Sequence, residues 1–137
     1  MVVVGEKRAY PRAPIKWPVS IHTQDKSIEG TTSNVSPTGV FIRCQEPLRL
    51  TEVFDWSINV PHLGRNLKGT AEVVWSNIYG PDDEITPRGM GVHFQSISDV
   101  DRRFIAGEIL KYLELEKVEV ESLDSLRTLI IDLDENL

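Results

Sequence analysis

The chain has 137 residues, of which 40% are apolar and 26% charged, and a formal net charge of −6. Its length suits one domain with a hydrophobic core, and its composition excludes the disordered and fibrous classes. One cysteine excludes an internal disulfide, three scattered histidines give no metal-ligand spacing, and no apolar run approaches the ~20 residues of a membrane helix. We therefore expect a globular cytoplasmic protein without a metal or cofactor.

The negative charge is concentrated at one end of the sequence. Residues 113–137 contain eight acidic and two basic residues, whereas residues 1–112 are balanced at 13 of each. Within the balanced part, Lys7, Arg8, Arg12 and Lys16 form a basic cluster with only Glu6 nearby to oppose it. A protein that binds nucleic acid would be basic more widely, so this local cluster favours a small anion and no nucleic acid is expected.

Six segments have the alternating or β-branched and aromatic pattern of strands. The clearest is "VFDWSINV", residues 53–60, in which apolar and polar side chains alternate strictly. Glycine, proline, asparagine or aspartate separates nearly all the segments, as in turns. The pattern predicts a mainly β protein with a small antiparallel barrel or sandwich. The six segments are residues 17–23, 26–36, 39–44, 53–60, 67–79 and 88–97.

The hydrophobic period changes to that of a helix after residue 98. Ser98 is a suitable N-cap, and the apolar residues that follow recur at intervals of three and four. We expect this helix to close the barrel. Its apolar positions are Phe104, Ile105, Ile109, Leu110 and Leu113.

The acidic tail, residues 114–137, contains a heptad seam just under two repeats long. Two interpretations remain open for it. The tail is either an amphipathic helix docked on its own domain or a helix that forms a homodimer, and residues 117–122 alternate in a way that also fits an extended segment. The seam residues are Leu123, Leu126, Ile130, Leu133 and Leu137.

The first polar motif is "KRAYPR", residues 7–12. Pro11 and Pro14 exclude an uninterrupted helix, and an extended conformation would turn Arg8 and Arg12 to the same side. Two guanidinium groups suit a ligand with both phosphate and a purine, because their forks bind phosphate oxygens or a guanine O6/N7 edge and their planes stack on bases. The alternative is an ordinary solvated basic arm, since two arginines at this spacing often arise by chance.

The second motif, "NVSPTG", lies between two predicted strands. Alternation places Asn34 and Ser36 on one face, and Pro37 favours a turn that Gly39 completes. The two polar side chains either bond to local backbone or form a polar shelf at the barrel rim. In the second case the absent side chain of Gly39 would leave room for a flat ligand.

Together these motifs resemble those of the PilZ domain family, the bacterial receptor module for the second messenger cyclic di-GMP. The family signature pairs R-x-x-x-R with a later [D/N]-x-S-x-x-G, matched here by residues 8–12 and 34–39. The resemblance continues through "GVFIRCQEPLRL", "GTAEVVWSN" and "GMGVHF" and covers about residues 5–113. It implies a six-stranded antiparallel β-barrel with a closing C-terminal helix, followed here by an additional helical tail.

The resemblance also implies a role for each motif residue. Arg8 and Arg12 would wrap over cyclic di-GMP, while Asn34, Ser36 and Gly39 would form the surface that recognises a guanine. Lys7 is an additional candidate, since a basic residue at its position in the family favours an intercalated pair of ligands over one.

The implied organisation has three parts. Residues 1–12 would be a mobile ligand-binding arm that becomes ordered on binding, residues 13–113 the barrel with its closing helix, and residues 114–137 the acidic tail. A receptor of this kind would signal through a protein partner in motility, pilus, exopolysaccharide or regulatory machinery. The alternative is a PilZ-like interaction module that does not bind nucleotide.

An enzyme is poorly supported by the sequence. The acidic run 82–84 lies in a Gly/Pro-bounded loop and is interpreted as a solvated turn, while Ser36 has no neighbouring base in the sequence. The three tryptophans fall on predicted strands and are interpreted as core or rim packing rather than as a platform for stacking a base. They are Trp17, Trp56 and Trp75.

Overall fold

The fold is a closed β-barrel followed by two helices, seen in a computed structural model that describes residues 10–116 and 120–135. All neighbouring strands are antiparallel, and the order around the barrel is β1-β2-β3-β6-β5-β4. The mainly β, six-stranded prediction is confirmed, and the barrel replaces the sandwich that the strand pattern left open. The elements are β1 (Pro18–His22), β2 (Ser27–Ser36), β3 (Gly39–Arg43), β4 (Val53–Val60), β5 (Arg65–Asn77), β6 (Gly89–Ile97), α1 (Asp99–Leu115) and α2 (Val120–Glu135).

The barrel interior is filled by the apolar side chains that alternate along each strand. In β4 the predicted inward set is buried and Asp55 and Asn59 on the other side are exposed, as the two-residue period requires. The ends of the sheet join where β1 pairs with β4, with Ile21 opposite Trp56. Closure removes the free sheet edges that would otherwise invite pairing with another chain.

Register shifts interrupt the strand pairing at three places, and at two of them a β-bulge changes the direction of a side chain. In β2 the register shifts between Thr32 and Asn34, and Asn34 becomes exposed although strict alternation from Thr32 would bury it. In β5 the register shifts between Val73 and Trp75, and Trp75 is 46% exposed. A bulge inserts one residue into one strand, so every residue beyond it changes face. Both redirected side chains lie on the same side of the barrel.

Helix α1 closes one end of the barrel, as predicted. Ser98 is its N-cap, with its hydroxyl accepting a hydrogen bond from the Asp101 N–H at 3.1 Å. Ile105 and Ile109 are fully buried against the barrel core. On the helix flank, the Phe104 ring lies 6.3 Å from that of Trp17.

Helix α2 packs on α1 of the same chain. Leu123 and Leu126 belong to the same buried cluster as Leu113 of α1. Two ion pairs also join the helices, Arg127 to Glu114 at 3.1 Å and Arg103 to Asp134 at 3.3 Å. The tail thus docks on its own domain, which is one of the two interpretations of its heptad seam. The homodimer and the domain boundary at residue 113 stay predictions.

The alternative of an extended segment is wrong for residues 120–122, which begin α2. Residues 117–119 and Leu137 lie outside the described residues. Neither α1 nor α2, nor any other helix in the described ranges, has the length and apolarity needed to cross a membrane.

Candidate functional site

A groove of about 700 Å³ runs along the side of the barrel that carries the two bulges. Its walls are the β2–β3 turn, the outer surfaces of β3, β5 and β6, and the loop between β5 and β6. The groove brings together four of the six predicted site residues; the other two, Lys7 and Arg8, lie outside the described residues. The four are Arg12, Asn34, Ser36 and Gly39.

Arg12 is placed at the groove by the residue that follows it. Ala13 is fully buried and forms a bridge with Val35 of β2, with N–H to O distances of 3.0 and 2.8 Å. A second anchor lies nearby, where the buried Thr32 hydroxyl donates to the Ile15 carbonyl and accepts from the Trp17 N–H, both at 2.8 Å. The segment is therefore fixed to β2, and Arg12 is exposed immediately before the fixed point.

Ser36 is buried, and its hydroxyl is fully used within the β2–β3 turn. Its Oγ accepts from the N–H groups of Thr38 at 3.2 Å and Gly39 at 3.1 Å, and donates to the Gly39 carbonyl at 3.1 Å. This is the local bonding that the sequence left open as one explanation of Ser36. Ser36 shapes the groove by fixing the turn.

Asn34 differs from Ser36 in its surroundings. Its side chain is exposed on the groove, and its amide makes no hydrogen bond with the part of the chain that the structure describes. The amide therefore retains a carbonyl acceptor and two N–H donors that a ligand in the groove can use. The two polar residues of the motif thus have separate tasks, since one builds the turn and the other faces the groove.

Gly39 is required by the close approach of β6. A Cβ on Gly39 would lie 2.2 Å from the Val92 carbonyl oxygen, a distance that real Cβ atoms do not tolerate. From the sequence we expected the missing side chain of Gly39 to leave room for a flat ligand. In the structure the β6 backbone occupies the space into which a Cβ would point.

We expect Gly39→Ala to lower the free energy of unfolding by about 2 kcal/mol, because the added methyl group must push β3 and β6 apart. Urea unfolding followed by circular dichroism measures the change. Gly107→Ala is the matched control, because a Cβ there meets nothing within 4 Å and lies in the middle of α1, where alanine is favoured over glycine. Equal stability of Gly39→Ala and the wild type would contradict the packing role of this glycine.

Two aromatic side chains lie side by side in the groove. The rings of Trp75 and Phe41 lie 5.7 Å apart and tilted by 47°, and both line the groove. Trp75 was expected to serve as core or rim packing; its ring instead stands on the outer surface because of the β5 bulge. Trp17 and Trp56 are buried, in agreement with the packing interpretation.

The groove has a mixed but partly basic lining. Arg43, at the end of β3, joins Arg12, and the loop between β5 and β6 contributes Glu84 and the exposed Ile85. Arg43 belongs to neither sequence motif, although alternation from the buried Val40 and Ile42 places it on the outer face with Phe41.

Other reactive groups lie outside the groove or lack partners for chemistry. Cys44 is buried, and desolvation raises the pKa of its thiol to about 11. Within residues 10–116 and 120–135, no three histidine, cysteine or acidic side chains are placed to hold a metal ion. The described groove is thus equipped for binding by charge, hydrogen bonding and stacking.

Comparison with known proteins agrees with this fold. The chain is similar to the Bacillus subtilis inhibitor of motility MotI/DgrA, with a TM-score of 0.67 and 21% identity over 81% of this chain; it spans about half, 52%, of that protein. It also aligns with the PilZ domain of CeSA from a cellulose-synthesizing bacterium, at a TM-score of 0.45 and 15% identity, over 90% of this chain and 98% of that one. No curated protein sequence matches. The PilZ domain family profile matches residues 6–111, and the chain therefore belongs to the PilZ domain family.

Proposed function

We propose that this chain is a receptor for cyclic di-GMP that binds the dinucleotide in the groove. The observation that carries the proposal is the convergence of Arg12, Asn34, Ser36 and Gly39, from two motifs more than 20 positions apart, on one cavity. PilZ domains as a family are cyclic di-GMP receptors and adaptors, and this chain retains every position of the signature. The volume of about 700 Å³ is in the range of small-molecule sites.

Each part of the ligand has a chemical counterpart in the groove. The guanidinium groups of Arg12 and Arg43 suit phosphate oxygens and the guanine O6/N7 edge. The amide of Asn34 suits the Watson–Crick edge of guanine, which presents both donors and an acceptor. Trp75 and Phe41 offer aromatic faces on which a purine can stack, a contact worth about 1–3 kcal/mol per base.

The N-terminal segment completes the proposed site. Arg8 is four residues before Arg12 and would supply a second guanidinium group, and Lys7 would favour a pair of ligands over one. Binding would order residues 1–12 over the groove and alter the surface that a partner meets. The proposal assigns no catalytic step to this protein.

The output of such a receptor passes through a protein partner. The relative with the same fold is named an inhibitor of motility, which makes motility machinery the first system in which to look for that partner. Pilus, exopolysaccharide and other regulatory machinery are the further candidates.

Calorimetric titration with cyclic di-GMP tests the proposal and counts the ligands. We expect saturable binding with one or two ligands per chain and no binding of GTP or cyclic AMP at the same concentration. If the protein is folded by circular dichroism but gives no binding heat at several temperatures, the receptor function is contradicted. The alternative, an interaction module that does not bind nucleotide, then remains.

Asn34→Ala is expected to weaken cyclic di-GMP binding about tenfold and to leave the free energy of unfolding within about 0.5 kcal/mol of the wild type. The reason is that its amide faces the groove without a described protein partner, so its loss is felt only by the ligand. Ser36→Ala is the contrasting variant, because its hydroxyl holds the turn and its loss lowers stability as well. An unchanged affinity of Asn34→Ala in calorimetry would remove Asn34 from the site.

A further inference from the structure

One wall of the groove is an irregular loop, residues 78–88, which joins β5 to β6. Glu84, Ile85, Thr86 and Pro87 of this loop line the groove. Ile85 is 94% exposed, so packing of its side chain into the core does not hold the loop in place. None of residues 78–88 is buried, so hydrogen bonds rather than core packing hold this wall.

Asn77, the last residue of β5, supplies the central set of those bonds. The two N–H groups of its Nδ2 are shared among the carbonyls of Pro81 at 2.8 Å, Pro87 at 3.0 Å and Thr86 at 3.2 Å, and its Oδ1 accepts from the Gly80 N–H at 2.9 Å. One side chain thus ties the start of the loop to its end. Asn77 is 6% exposed and is not among the residues that line the groove, so its amide is committed to the loop.

Two carboxylates reinforce the same conformation from inside the loop. Asp83 Oδ1 accepts from the N–H groups of Ile85 at 2.9 Å and Thr86 at 2.7 Å, and Asp82 Oδ1 accepts from the Arg88 N–H at 2.9 Å. From the sequence we interpreted this acidic run as a solvated turn. In the structure two of its carboxylates accept hydrogen bonds from the backbone of the loop.

From these contacts we propose that Asn77 is a positioning residue that keeps the 78–88 loop folded as a ready-made wall of the groove and thereby sets the affinity for cyclic di-GMP. The inference rests on the proposed function. A ligand that needs the loop in one conformation binds more weakly in proportion to the fraction of molecules that have that conformation. Removing the amide lowers that fraction without removing any atom from the groove lining.

The test compares two loop variants with two matched controls in calorimetric titrations with cyclic di-GMP. Asn77→Ala is expected to weaken binding about tenfold, and Asp83→Ala about threefold, because each loosens the same wall. Leu126→Ala is the control for global stability, since it destabilises the fold at the α1–α2 contact, and Asp25→Ala is the control for loss of a loop carboxylate on the β1–β2 turn. Both controls are expected to bind within about twofold of the wild type.

A second readout separates positioning from general destabilisation. Because both loop variants act on one conformational equilibrium, the affinity loss of the double variant should differ from the product of the single losses. The amides of Ile85 and Thr86 should also exchange faster with solvent in Asn77→Ala, while those of β1 keep their wild-type rates.

The outcomes distinguish this inference from the function on which it rests. If the wild-type protein does not bind cyclic di-GMP, the proposed function and the inference both fail. If the wild type binds cyclic di-GMP and both Asn77→Ala and Asp83→Ala bind it as tightly as the wild type does, the inference alone is overturned. It is also overturned if Leu126→Ala loses as much affinity as Asn77→Ala. Should Asn77→Ala not fold, Asp83→Ala decides, because its carboxylate is exposed and acts only within the loop.

Discussion

Arg12→Ala is expected to weaken cyclic di-GMP binding by about 100-fold or more. A guanidinium group that makes two charge-assisted hydrogen bonds to phosphate or guanine contributes about 1.5–3 kcal/mol for each, and about 1.4 kcal/mol corresponds to a factor of ten. The Arg12 side chain is exposed, so its removal should change the free energy of unfolding by no more than about 1 kcal/mol. Calorimetry at fixed ionic strength gives the affinity, and urea unfolding gives the stability.

Two further variants show what the arginine contributes. Arg12→Lys keeps the charge but not the planar fork, so an affinity between those of the wild type and Arg12→Ala would identify paired hydrogen bonding as the main contribution. Arg49→Ala removes an exposed arginine that does not line the groove and should bind as the wild type does. If Arg12→Ala also binds as the wild type does, the site is elsewhere. Arg8→Ala is expected to act in the same direction on the strength of the motif.

Leu126→Ala is expected to lower the free energy of unfolding by about 3 kcal/mol. Leu126 is fully buried between α2 and the rest of the core, and truncating a buried leucine costs about 2–5 kcal/mol through lost burial and the cavity left behind. Equilibrium unfolding in urea measures the change.

Ile131→Ala is the control for that substitution, because Ile131 is on the same helix but 58% exposed, and its loss should cost less than about 1 kcal/mol. Equal stability of the Leu126→Ala protein and the wild type would contradict docking of α2 on its own chain. Sedimentation of the full chain at several concentrations tests the homodimer interpretation of the heptad seam independently.

The strands and the first helix were predictable because their signals are local. Apolar alternation in β4 and the helical spacing after Ser98 depend on nearest neighbours along the chain, and both were confirmed. The convergence of Arg12 and Asn34 on one groove was also predictable, since a signature of two motifs at a set order brings a known arrangement with it.

The directions of key side chains were not predictable, because they depend on pairing between strands. Trp75 would point inward by alternation from Val73, and only the bulge against β6 turns it into the groove. Such a register shift has no residue signature in β5 alone. No register shift separates Asn34 from Ser36, and their different tasks arise because the turn alone takes up the Ser36 hydroxyl.

The role of Asn77 was hidden for another reason. Its four hydrogen bonds reach residues three to ten positions ahead in an irregular loop, and no periodic pattern describes such contacts. Proline, glycine and aspartate in "YGPDDEITP" correctly indicated a loop. They did not indicate that one asparagine organises it.

Binding in this groove is tested most directly by following the indole N–H signals of the three tryptophans by NMR during a titration with cyclic di-GMP. Trp75 lines the groove, whereas Trp17 and Trp56 are buried elsewhere in the core and serve as internal controls; Trp75→Phe assigns the signal. We expect the Trp75 signal to shift and saturate with the ligand while that of Trp56 stays in place. A Trp75 signal that does not move at saturating cyclic di-GMP would contradict binding in this groove.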